Sequence, residues 1–293
     1  MFKRLPFLFA AAMAVAACSH DSDNASAPQS PAPAASSAPA APASTPPAAT
    51  ASTAPAAAST AAPASAASAP ATAAAPVADA KPAAPFVDSG KWVEGKNYDV
   101  IEPQQPKVSG TDKIEVVEVF SYGCPACNLF HTTVDQMVQQ LPSNATMVFL
   151  PVSFNPAENF PMFQRAYLTA QTLGVADKGA DAMYDAAWKT KELSSEKPSG
   201  GLKPSDQLPT IEDAAKVYAK FGADPKEFVA VANSFAINTK MKRADELVQK
   251  YGVMQTPTIV IDGKYRYTVG QAGGYPQAIE LAQWLISKEA AGK

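Results

Sequence analysis

The chain has 293 residues, 47% of them hydrophobic and 17% charged, with a net charge of −3, a balance that offers no basic stripe for nucleic acid. No uninterrupted apolar run reaches the roughly 20 residues of a spanning helix, which excludes a polytopic membrane protein. These averages merge two unlike stretches, because residues 19–85 are almost wholly Ala, Pro, Ser and Thr, with Asp21, Asp23, Asp79 and Lys81 as their only charged side chains.

In chain order, Lys3 and Arg4 precede the apolar run Leu5–Ala17, the pattern of a secretory signal peptide over residues 1–17. Val15-Ala16-Ala17-Cys18 resembles the bacterial lipobox, which implies that Cys18 is diacylated and becomes the mature N-terminus. Ser19 rather than Asp follows it, which by analogy favours the outer membrane. The alternative is an ordinary signal cut near Ala17 that leaves a stray thiol; the lipid reading is preferred because it accounts for an odd cysteine. Residues 18–85 then form a tether. Frequent Pro denies it a helix, too few large apolar side chains offset the entropy of ordering it, and it is expected to be disordered, with a reach on the order of 200 Å.

Residues 86–293 read as one folded domain. Ile114–Phe120 is rich in β-branched and aromatic residues and predicts a buried strand. Gly123-Cys124-Pro125 interrupts it, and the spacing of Leu129, Phe130, Val134, Met137, Val138 and Leu141 predicts a helix ending at Pro142. Thr146–Val152 is a second strand. Phe163–Leu173, Ala180–Thr190, Ile211–Phe221 and Lys226–Phe235 have helical spacing, with Ser194–Pro209 a loop, and Thr239–Tyr251 is a further amphipathic helix. Thr258–Ile261 and Tyr265–Val269 flank Asp262-Gly263, a strong hairpin signal, and Tyr275–Lys288 closes the chain as a helix. The result is an α/β frame with an α-helical insertion at about residues 157–238.

Two cysteines remain once Cys18 is set aside, as Cys124-Pro125-Ala126-Cys127. A structural zinc site usually takes four ligands, and the only other Cys or His in the folded part is His131, so no metal is expected. A crosslink closing so small a loop would restrain the unfolded chain very little. A redox couple fits better, because the pair follows a buried strand and opens a helix, where unpaired N–H groups and the helix dipole stabilise a thiolate. Cys124 is therefore the expected nucleophile and Cys127, one turn inward, the resolving thiol. Pro125 lacks an N–H that would be unpaired at a helix start anyway.

Phe120-Ser121-Tyr122-Gly123-Cys124-Pro125-Ala126-Cys127, Gly252-Val253-Met254-Gln255-Thr256-Pro257-Thr258 and Asp262-Gly263-Lys264-Tyr265-Arg266 together resemble the DsbA family of periplasmic thiol:disulfide oxidoreductases, over about residues 97–290. The resemblance implies a thioredoxin fold with an inserted α-helical domain and an enzyme that donates its Cys124–Cys127 disulfide to exported proteins, with no cofactor. It implies unfolded or reduced exported proteins as substrates, a quinone-linked membrane reoxidase of the DsbB type as partner, and a periplasmic location. It implies that Pro257 is a cis proline facing the cysteines, with the Thr256 backbone free to pair with a substrate strand; by base rate alone a trans bond would be expected. It also implies that Glu118 is a buried, proton-handling acid, where a surface carboxylate would be the ordinary reading of a lone Glu. His131 stands where the family often has Glu and is expected to face solvent. Ala126 replaces the His of the strongest oxidants, so a milder potential is expected. The alternatives are a periplasmic reductase or isomerase, or a tethered, non-catalytic peptide-binding module.

Overall fold

The computed structural model describes residue 82 and residues 84–293. The expected signal peptide, the lipobox with Cys18, and nearly all of the tether lie outside the described residues. Within them the elements run β1 (Asp99–Val100), β2 (Ile114–Phe120), α1 (Pro125–Gln140), β3 (Ala145–Pro151), α2 (Phe160–Thr172), α3 (Ala176–Trp188), α4 (Ile211–Ala219), α5 (Pro225–Ala232), α6 (Phe235–Lys250), β4 (Thr258–Ile261), β5 (Tyr265–Thr268), α7 (Val269–Ala272) and α8 (Tyr275–Ala290). The strand order is β1-β5-β4-β2-β3; only β2 and β3 are parallel. This is the expected thioredoxin-like frame, with the helical block placed between β3 and β4.

β2 lies inside the sheet between β4 and β3, and every residue of it after Ile114 is buried. Successive side chains on a strand point to opposite faces. Val116 accordingly joins Ile259 and Ile261 beneath Phe130, Val134 and Met137 of α1 and Leu281 and Leu285 of α8. Val117, Val119 and Val260 face the second core, which the helical block covers. A strand covered on both faces must be apolar throughout, and the two acids in β2, Glu115 and Glu118, are exceptions that need separate explanations.

Several boundaries differ from the sequence reading, and three of them have a local cause at the helix or strand end. β5 ends at Thr268 because that residue caps α7 through a reciprocal box with Gln271. α2 begins at Phe160, three residues earlier than expected, with Pro161 in its first turn, where the missing N–H costs nothing. Ser234 Oγ accepts from Ile237 N–H and starts α6 at Phe235, so the expected far edge of the insertion near residue 238 falls inside one unbroken helix. The hairpin is as expected: Asp262 and Gly263 both have positive φ, 50° and 66°, as its tight turn demands. Two-residue β1 was too short to leave a sequence signal. No described helix is long and apolar enough to cross a membrane.

Candidate active site

β2 delivers the chain to a short turn and α1 carries it away, so the cysteine pair sits where a buried strand meets a helix N-terminus. Cys124 is the N-cap, extended at φ −86° and ψ 120°, and its sulfur accepts the Cys127 N–H at 3.4 Å. Pro125 occupies the first turn, as expected. The turn is tied by Cys124 N–H to Ser121 carbonyl at 3.1 Å and by Gly123 N–H to Ser121 Oγ at 3.2 Å. Gly123 is required for space: a Cβ there would come within 2.6 Å of the Glu158 carbonyl oxygen. The thiols are unlinked. Cys124 is 5% exposed and Cys127 fully buried, the order expected of attacking and resolving positions.

The two thiols are pushed in opposite directions. The Cys127 thiol beside its sulfur is the largest cause lowering Cys124 from 9.0 to about 6; burial opposes this, and the Thr256 side chain and the backbone N–H groups of Cys127 and Ala126 reinforce it. The helix terminus thus contributes as expected, but a side chain contributes more. Burial raises Cys127 well above the ordinary range, and the Cys124 thiol and the charge of Glu118 add to it. Ala126 is exposed and supplies only its backbone.

Glu118 is 1% exposed on β2, opposite Phe149 of β3 and Ile259 of β4. Burial raises its carboxyl from 4.5 to about 8, and the charges of Cys124 and Asp135 push in the same direction. Its Oε1 has no hydrogen-bond partner among the described residues. Glu115, three positions earlier and as deeply buried, differs: its carboxylate accepts from Val108 N–H and Ser109 N–H, each at 2.8 Å, and from Ser109 Oγ. Glu115 is thus a fastener for the preceding loop, whereas Glu118 is an acid with nothing to fasten.

The Thr256–Pro257 peptide is cis, as the resemblance implied. The Cys124 thiol donates to the Thr256 carbonyl at 3.5 Å, so the loop before β4 reaches the sulfur across the fold. His131 corrects an expectation. It does not face solvent: its side chain is 16% exposed, its Nε2 lies 2.6 Å from Asp181 Oδ1, and its ring packs on Tyr184 at 4.5 Å between centroids. Asp181 and Tyr184 belong to α3, and the helical block covers the face of α1 that periodicity alone left open. His131, Asp135 and Asp181 bring ligand atoms within 4.8 Å of one another, close enough to share a cation; neither thiol belongs to this group.

Sequence reasoning gave no role to Tyr122 or Trp188. Trp188 Nε1–H donates to the Tyr122 carbonyl at 2.8 Å, and the Tyr122 ring is buried against Tyr184, Phe120 and Phe163. Tyr122 stood in the quoted motif, but nothing near Trp188 in the sequence marks it.

A family model described as a DSBA-like thioredoxin domain matches residues 115–275. A thiol:disulfide interchange protein DsbA of Pseudomonas aeruginosa is 35% identical over 200 residues, covering 68% of this chain and 87% of that protein. The protein of the same name from Pseudomonas syringae pv. tomato is 34% identical, covering 67% and 84%. Among solved structures, Pseudomonas aeruginosa DsbA matches with a TM-score of 0.60 at 33% identity, over 70% of this chain and 97% of that one. Xylella fastidiosa DsbA matches with 0.58 at 27%, over 66% and 95%.

Proposed function

The chain belongs to the DSBA-like thioredoxin family and is a thiol:disulfide oxidoreductase, and from that premise we propose that it runs as an oxidase, passing a Cys124–Cys127 disulfide to exported proteins. The observation that carries this direction is the opposed shift of the two thiols. A thiolate favoured on Cys124 stabilises the dithiol form, so the disulfide is the reactive, oxidising state. A substrate thiolate attacks Cys124 Sγ, the Cys124–Cys127 bond breaks, and Cys127 leaves and takes up a proton. Glu118, still protonated at neutral pH with a pKa of about 8, is the buried acid placed to supply it. A second substrate thiolate then attacks the substrate sulfur of the mixed disulfide and expels Cys124 as its favoured thiolate. Two electrons have passed from the substrate to the enzyme, and a substrate disulfide has formed. The cis-Pro loop, with the Thr256 backbone beside the sulfur, suits an extended substrate chain read by its main chain.

Reoxidation by a quinone-linked membrane partner of the DsbB type, a periplasmic location, and an acylated Cys18 on a tether to the outer membrane complete this reading. Equilibration with a glutathione redox buffer tests the direction. An oxidising potential is expected, and one as reducing as that of thioredoxin would replace the oxidase by a reductase or isomerase. The anchor has its own test: Cys18→Ala should move the protein from the membrane fraction to the soluble fraction or leave it there as an unprocessed precursor, and a normally processed chain with unchanged partition would remove the lipoprotein assignment.

Stability should follow the same thiolate. The folded pKa of Cys124 lies below its unfolded value, so the reduced form gains stability that is full above about 9 and lost as pH falls through about 6. That gain is on the order of 1 kcal/mol at pH 7. Denaturant titrations of both forms should therefore show the reduced form gaining on the oxidised one from pH 5 to pH 9. A gap independent of pH would show that the thiolate stores no free energy.

A further inference from the structure

The turn that presents Cys124 is gripped from the helical block at three points. Trp188, the last residue of α3, donates its indole N–H to the Tyr122 carbonyl at 2.8 Å, the only donor to that oxygen among the described residues. The Tyr122 ring is buried against Tyr184 at 4.9 Å between centroids, and its hydroxyl lies 3.5 Å from that of Tyr218. Gly123 packs beneath the Glu158 carbonyl and Phe163 so closely that no side chain fits. Packing holds the ring, but only the indole satisfies the carbonyl.

We propose that Trp188 is a positioning residue for the redox centre: by holding the Tyr122 carbonyl it fixes the peptide plane from which the Cys124 turn is built. This rests on reading Cys124 as the nucleophile and names what sets its geometry. The Tyr122–Gly123 peptide pairs its carbonyl with Trp188 and its N–H with Ser121 Oγ, and the next N–H, that of Cys124, goes to the Ser121 carbonyl. This places the sulfur on the Cys127 N–H. A buried carbonyl stripped of its donor must find another. The N–H groups of Ala126 and Cys127, which open α1 within five residues of that carbonyl, are the ones that stabilise the thiolate. Without the indole N–H the carbonyl competes with the sulfur for them, and its own negative end disfavours the thiolate. The helical block therefore sets the reactivity of a thiol carried by the thioredoxin frame.

The test is a thiolate-absorbance titration and a glutathione equilibration of the reduced full-length chain. Three forms are compared: the parent, Trp188→Phe, and the parent with benzothienylalanine at position 188, which keeps the shape of Trp and lacks its N–H. Both variants should raise the Cys124 pKa by about one unit, a roughly tenfold loss of thiolate below the pKa, and reduce the oxidising equilibrium constant in step. The isosteric form decides the matter if Trp188→Phe fails to fold. A lowered Tm with a parent-like pKa in the isosteric form means the indole is only structural and overturns the proposal. An ordinary Cys124 pKa in the parent itself would overturn the oxidase reading and this inference together, whereas a low parent value unchanged in the variants would overturn this inference alone.

Discussion

Cys124→Ser should lower disulfide exchange by at least about a thousandfold while leaving the fold and any peptide binding intact, because no other described thiol has a depressed pKa. Cys127→Ser should behave differently. Its Cys124 thiolate can still attack a substrate disulfide, but no second thiol remains to resolve the mixed disulfide, so covalent complexes should accumulate. Cys127 suits the resolving step because it is fully buried and lies one helical turn from Cys124, where an incoming substrate cannot easily replace it. Thiol trapping on non-reducing gels, with peptide oxidation measured in parallel, separates the two variants. If Cys124→Ser retains exchange, the nucleophile has been misplaced. If exchange is absent even in the parent while peptide binding is strong, the non-catalytic module is the better reading.

Glu118→Gln should stabilise the protein at neutral and alkaline pH, the reverse of what loss of a buried ionisable group ordinarily does. The folded pKa of Glu118 is raised from 4.5 to about 8, so the folded state holds a proton that the unfolded state releases, and stability falls as pH rises between those values. The advantage of the Gln variant over the parent should therefore grow by about 3 kcal/mol from pH 4 to pH 7, and by about 1 kcal/mol more by pH 9. Exchange should suffer in the same variant, because Gln has no proton to give to the departing Cys127, and the alkaline limb of the rate profile near pH 8 should disappear. Urea denaturation across that range measures the first effect and single-turnover peptide oxidation the second. A stability difference constant with pH would mean that Glu118 is paired and ionised in the fold, contrary to its unpartnered Oε1.

The same strand shows how far the sequence could be read. Glu115 and Glu118 stand in one apolar run, and no local pattern says that the first is satisfied by the amides of residues 108 and 109 while the second is left with an unpaired oxygen. The role of Glu118 came from resemblance, and the cis bond before Pro257 came the same way, because a Thr-Pro pair by itself favours trans. His131 was misjudged for a related reason. Periodicity ranks the faces of α1 by their own residues and contains nothing about α3, which supplies Asp181 and Tyr184 to cover that ring.

By itself the sequence determined most of the elements and the chemical type of the site. β2, the start of α1 at the Cys124-Pro125 step, the Asp262-Gly263 hairpin and the redox pair are each encoded within a few consecutive residues, where propensity, capping and turn geometry act. Tertiary structure alone decided the electrostatics and the support of that site. The Thr256 carbonyl reaches Cys124 across 132 residues of chain, and the Trp188 indole reaches the Tyr122 carbonyl across 66. Burial, which sets the Glu118 and Cys127 pKa values, depends on which helices pack over β2 and α1. Local signals survive in sequence because the backbone enforces them within a turn, whereas desolvation and long-range hydrogen bonds exist only once separate segments have excluded water between them.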